Sequence, residues 1–148
     1  MKKIFFLILI IGTGLVFTAN AQIRKIPAEV TNAFSEKYND AKNVEWKDKL
    51  SNFAATFELN GDKYEAKFNK KGEWINTEKE LDVNDLPDNV KDGLAKSKYA
   101  DWELKSLYKI DLPDEKTQYR VHVVKTSVQQ KNLLFNSAGK LLKDNLTL

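Results

Sequence analysis

An ordered internal echo constrains this chain more than any other feature. Ile26-Pro27-x-x-Val30-x-x-x-Phe34 is answered by Leu86-Pro87-x-x-Val90-x-x-x-Leu94. Lys37-Tyr38 is answered by Lys98-Tyr99, and Phe68-Asn69-Lys70-Lys71-Gly72 by Phe135-Asn136-Ser137-Ala138-Gly139. The pairs keep their order at offsets of 60 to 67 residues. One or two such matches arise by chance, whereas a series in order argues for duplication. The chain is therefore expected to build one plan twice.

Each unit opens with a helix. Val30, Phe34 and Tyr38 recur every four residues, which lines them along one face of about three helical turns. Pro27 is expected in the first turn, where its missing N–H leaves no bond unmade. Val90 and Leu94 repeat the stripe behind Pro87, with Asp85 and Asp88 placed to complement the positive helix start. Gly93 weakens this second helix by about 1 kcal/mol relative to alanine.

Strands follow in both units. Phe53, Ala55, Phe57 and Leu59 alternate with Ala54, Thr56 and Glu58, and Asn60-Gly61 predicts a two-residue hairpin turn. Tyr64, Ala66 and Phe68 alternate with Lys63, Glu65 and Lys67 on the return. Residues 44–49 and 74–80 complete the first set, while 102–111, 118–125, 128–136 and 140–143 form the second. The expected fold is α+β: tandem α-β-β-β-β halves forming a curved antiparallel sheet, its apolar face covered by both helices. The halves are expected at 22–81 and 82–148 of a single domain, joined by the polar linker Asp82-Val83-Asn84-Asp85.

Residues 1–21 read as a cleavable export signal. Lys2 and Lys3 precede an apolar run, and Ala19-Asn20-Ala21 supplies the small-x-small pattern of a signal-peptidase site. Gly12, Thr13 and Gly14 interrupt the run, which falls short of the roughly 20 residues that span a bilayer. The mature chain is expected to begin at Gln22, in the periplasm or outside the cell, without a stable membrane anchor. With no cysteine in the sequence, neither a disulfide nor a lipid-modified cysteine can form. Removing Lys2 and Lys3 leaves 22 basic against 21 acidic side chains, a balance that lacks the footprint of a nucleic-acid binder.

The residues for common catalytic chemistry are missing or poorly placed. Nucleophilic catalysis needs an activated Ser, Cys or Thr beside a base, and no G-x-S-x-G is present. The one histidine, His122, alternates with Val121 and Val123 and shares a strand face with Arg120 and Val124. Asp82, Asn84, Asp85 and Asp88 lack the spacing of a calcium loop, and linker and helix-start duty explains them better. Glu58 and Glu65 form a carboxylate pair, but Lys63 and Lys67 on the same strand face make cross-strand pairing their expected role. No catalytic residue, metal site or cofactor is assigned.

The exported start, the (Ile/Leu)-Pro-x-x-Val helix opening, the Lys-Tyr pair and the Phe-Asn-x-x-Gly turn together resemble the PepSY-like, β-lactamase-inhibitor-like family of periplasmic proteins. Tyr119 to Val123, Leu133-Leu134-Phe135 and Gly139-Lys140-Leu141-Leu142 extend the likeness, which spans residues 25–142. The resemblance implies the fold of the β-lactamase inhibitor proteins: tandem helix-plus-sheet halves with one open sheet face. It implies no particular activity.

Two readings of function remain. The first is a non-catalytic binding or inhibitory protein that grips another envelope or secreted protein with its open face. The second is a binder of a small molecule or envelope component, with its site between the halves. Trp46 and Trp102 are expected in the core, Trp46 in phase with Val44 and Trp102 with Leu104, Tyr108 and Ile110. Trp74 is expected to point outward if Ile75, like Leu142, points inward. The candidate binding face is therefore Trp74, Thr56, Glu65, Lys67, Arg120 and His122.

Overall fold

The structure is a computed structural model and describes residues 25–146. The expected leader and the processing point at Gln22 lie outside the described residues. Apart from a single turn of 3-10 helix at Val83–Asp85, ten elements of α-helix and strand follow among the described residues in the anticipated order: α1 (Ala28–Lys37), β1 (Lys42–Asp48), β2 (Phe53–Leu59), β3 (Asp62–Phe68), β4 (Trp74–Leu81), α2 (Asp88–Ala95), β5 (Glu103–Asp111), β6 (Thr117–Thr126), β7 (Gln129–Asn136) and β8 (Leu141–Leu146). The strands form one antiparallel sheet in sequence order, open at β1 and β8. β4 and β5 pair directly, from Thr77↔Asp111 to Leu81↔Leu107, so the sheet runs unbroken across the two halves.

Local chemistry accounts for the element ends. Pro27 and Pro87 act as the caps preceding the helices, one position earlier than expected, and their carbonyls accept the first amides of each helix. Pro27 O bonds the amides of Val30 and Thr31, while Pro87 O bonds those of Val90 and Lys91. Asn60 and Gly61 both take positive φ, 54° and 88°, as a two-residue hairpin turn requires. After β3, Asn69 Oδ1 accepts the amides of Lys71 and Glu73; after β7, Asn136 Oδ1 accepts those of Ala138 and Lys140.

Both helices lie on one face of the sheet over two adjacent cores. Val30 and Phe34 pack on Phe53, Ala55, Phe57, Ala66 and Phe68. Val90 packs with Leu86, Tyr99, Leu107, Val121, Val123, Leu133 and Phe135. Phe34 meets Phe57 edge-on at 5.1 Å between ring centroids, a favoured aromatic geometry. Gly139 turns beneath the start of α2, and Gly93 on that helix comes so close that an added Cβ would sit under 3.0 Å from the Gly139 carbonyl oxygen. The glycine that weakens α2 as an isolated helix is thus what lets the helix reach the sheet.

Strand phase departs from simple alternation at bulges. Between Lys42 and Glu45 the register shifts, with Asn43 at φ 53°. Trp46 accordingly packs against the first core, edge-on to Phe34 at 5.3 Å, but Val44 is exposed rather than sharing that burial. A second shift between Leu104 and Ser106 reverses the phase of β5. Trp102 and Leu104 pack on the second core as expected, but Leu107 takes the next core position. Tyr108 and Ile110 consequently turn to the opposite face, where Tyr108 lies beneath Arg120.

Candidate functional site

The candidate face is the side of the sheet away from the helices. On β2 and β3, Thr56, Glu65 and Lys67 alternate with the core residues Phe57, Ala66 and Phe68. On β6, Arg120 and His122 alternate with the fully buried Val121 and Val123. Cross-strand pairs tie these positions together: Thr56 faces Glu65, Glu65 faces Glu78, Tyr108 faces Arg120, and His122 faces Asn132. Five of the six sequence-derived candidates therefore share one face.

Trp74 does not, and this corrects the expectation from strand phase. A bulge separates the pairs Lys67↔Asn76 and Phe68↔Trp74, returning Trp74 to the side of Phe68. There it packs against the first core, its indole N–H donating to Thr77 Oγ1 at 2.9 Å. Lys37 Nζ sits 3.8 Å above its ring, which leaves the indole engaged rather than free for a partner. The Tyr38 hydroxyl also bonds Thr77 Oγ1. Ile75, expected to point inward with Leu142, is instead extruded; the two are 38% and 41% exposed. Leu142 also lies at a bulge, because the register shifts between Leu134 and Phe135.

At the centre of the face lies Glu78, which sequence reasoning did not single out. Only 9% exposed, it accepts from Arg120 Nη2 and Lys67 Nζ, each at 2.6 Å. Lys67 Nζ also reaches Glu65 at 3.2 Å. The guanidinium of Arg120 lies 4.6 Å from the centroid of the Tyr108 ring. Burial alone would raise the pKa of Glu78, but the hydrogen bonds from Arg120 and Lys67 outweigh it and hold the carboxyl below its ordinary value. Tyr108 moves the other way: burial raises its pKa, and the charge of Glu80 adds to the effect. Lys67 belongs to β3, Glu78 to β4 and Arg120 to β6, so this network links side chains of both halves.

Two apolar residues on this side are also covered. Ala54 and Ile110 are buried yet belong to neither core. Lys47 and Lys67 flank Ala54 across the strands, while Glu78 and Gln118 flank Ile110. Lysines so placed lay their apolar stems over a neighbour such as Ala54. Near the network, Thr56, Lys63, Glu65, Glu80, Tyr108 and Arg120 line a concavity of about 280 Å³ between the halves. A larger one, about 820 Å³, opens at the rim of the first half among Asn39, Asp40, Ala41, Lys42, Glu58, Asn60 and Gly61. Its lining offers no large apolar side chain to hold a drug-like ligand.

His122 Nδ1 meets Asn132 Oδ1 at 3.3 Å. Among the described residues, His, Cys, Asp and Glu side chains do not gather in threes that could hold a metal ion. No described helix is long and apolar enough to cross a membrane.

A DUF2874 family protein from Bacteroides ovatus superimposes with a TM-score of 0.73 at 25% identity, covering 80% of this chain and 86% of that one. A BLIP-like protein from Bacteroides fragilis gives 0.71 at 26% identity, with 80% and 84% coverage. A structure from Bacteroides eggerthii, described as that of "putative periplasmic proteins", shares the fold at 0.71 and 21% identity, covering 80% and 87%. No curated protein matches the chain. The family described as "Putative beta-lactamase-inhibitor-like, PepSY-like" matches residues 51–143, from just before β2 into β8. The α+β architecture and that match together make this chain a member of the PepSY-like, β-lactamase-inhibitor-like family.

Proposed function

We propose that this protein is an exported, non-catalytic binding or inhibitory protein that grips another envelope or secreted protein through its open sheet face. The ion network at Glu78 carries the reading. It holds Arg120 over Tyr108 and Lys67 beside Glu65, and so presents charged and aromatic groups in fixed positions at the middle of the face. Groups ordered before contact lose less freedom on binding, which favours recognition. The mixture of aromatic, cationic and polar groups suits a protein surface. The inhibitor-like description of the family supports the non-catalytic part of the reading, and the neighbour described as periplasmic supports export to that compartment. Residues 22–81 and 82–148 are read as duplicated units of one domain, with residues 1–21 removed on export.

The second reading places a small molecule or envelope component between the halves, and the concavity there is the observation in its favour. At about 280 Å³ it falls just below the roughly 300–1,000 Å³ of typical ligand sites, and its lining is largely charged. A broad protein contact fits the face better.

The test is comparative capture. Tagged mature protein is exposed to an envelope extract beside two variants, Arg120→Ala on the open face and Lys91→Ala on α2. A partner retained by the wild type and by Lys91→Ala, but lost with Arg120→Ala, supports the reading. Equal capture by all three sinks it.

A further inference from the structure

Asn60 stands apart from the other asparagines in its chemistry. It is the only asparagine in the chain followed by glycine. It occupies the tip of the β2–β3 hairpin, exposed and at positive φ, and nothing beyond the chain neighbours of Gly61 lies within 4 Å of where a Cβ on it would be. The asparagines of the two equivalent turns are held differently. Asn69 Oδ1 accepts two backbone amides and its Nδ2 donates to Glu73, while Asn136 Oδ1 accepts the amides of Ala138 and Lys140. Those bonds fix the side-chain amide toward residues two and four positions ahead, away from the neighbouring backbone nitrogen.

We infer that Asn60-Gly61 is a self-modification site at which the hairpin slowly converts an amide into a carboxylate. The backbone nitrogen of Gly61, having lost its proton to solvent base, attacks Cγ of Asn60. A nitrogen–carbon bond forms, the bond from Cγ to the side-chain nitrogen breaks, and that nitrogen leaves as ammonia after taking up a proton. The resulting five-membered cyclic imide is opened by water at one carbonyl or the other, giving aspartate or its backbone-lengthened isomer. Gly61 makes the attack feasible, because a side chain there would crowd the ring as it closes.

Two consequences follow from position. Asn60 lines the rim concavity with Asp40, Lys42 and Glu58, so the product places a third carboxylate there against a single lysine. The isomer also lengthens a two-residue turn between Leu59 and Asp62, which pair directly, and register in a hairpin depends on the length of its turn. The modification thus changes both the charge of the rim and the pairing of β2 with β3.

The experiment is peptide mapping by mass spectrometry after incubating the mature protein in mildly alkaline buffer at physiological temperature. Asn60 is expected to lose its amide first, with both acid isomers present, while Asn69 and Asn136 remain amides. Gly61→Ala, compared with the wild type in denaturant so that folding cannot intervene, is expected to slow the conversion severalfold. Asn60 remaining intact while Asn69 or Asn136 converts would overturn the inference, as would an unchanged rate in Gly61→Ala.

Discussion

Gly93→Ala sets two physical effects against each other with opposite signs. Helix propensity alone predicts stabilisation by about 1 kcal/mol, since glycine is that much worse than alanine inside a helix. The packing of α2 predicts the reverse. The new methyl would lie under 3.0 Å from the Gly139 carbonyl oxygen, and the obstacle is backbone rather than a side chain that can swing aside. Gly139 cannot retreat easily, because its own amide bonds Asn136 O and its Cα faces the start of α2. Overpacking of this sort costs about 1–3 kcal/mol, with a rigid obstacle toward the upper end. The net expectation is destabilisation by about 1–2 kcal/mol, or a fall of roughly 3–10 °C in melting temperature for a domain of this size. Ala33→Gly, at the corresponding position of α1, has no such compensation and should cost about 1 kcal/mol through propensity, with the lost packing of its methyl on the first core adding to that. Thermal melts by circular dichroism measure both. A higher melting temperature for Gly93→Ala would refute the close-approach argument.

Other perturbations probe the core, the corrected tryptophan and the ion network. Phe57→Ala should destabilise by about 3–5 kcal/mol in denaturant titration, because its ring is buried against Phe34; a loss below about 1 kcal/mol would mean that β2 presents its other face to the helix. Trp74→Ala should also lower stability, by about 2–4 kcal/mol for a half-buried ring that loses a hydrogen bond and a cation–π contact; an unchanged melt would return Trp74 to the open face. Glu78 has a depressed folded pKa, so its contribution is present above the unfolded value near 4.5 and is lost as pH falls through the folded one. Glu78→Gln should therefore cost about 1.5–3 kcal/mol at neutral pH and flatten the acid limb of stability against pH; an unaltered acid limb would show that other carboxylates control it.

The parts of the fold legible in the sequence were those coded locally. Asn60-Gly61 names its own turn type, Pro27 and Pro87 mark helix starts, and Phe57 with its alternating neighbours defines a strand face over an unbroken run. The errors of strand phase all fell at bulges. Nothing local announces the extra residue that returns Trp74 to the core side, extrudes Ile75, or turns Tyr108 and Ile110 away from Leu107. Thr56, Glu65, Lys67, Arg120 and His122 were grouped correctly by face because no bulge interrupts the stretches that hold them. Glu78 escaped notice for a different reason. Its outward phase was readable, but its pairing with Arg120 reaches past β5 and depends on the order and twist of three strands.

Docking of a protein partner on the open face can be read out by site-specific photocrosslinking. Benzoylphenylalanine is placed singly at Thr56 and His122 on the face, and at Lys91 on α2 as the control. Each mature variant is irradiated in an envelope extract and its adducts are identified by mass spectrometry. One shared partner is expected to attach through positions 56 and 122, and none through 91, if the open face is the docking surface. A partner attached through position 91, with positions 56 and 122 unreacted, would contradict it.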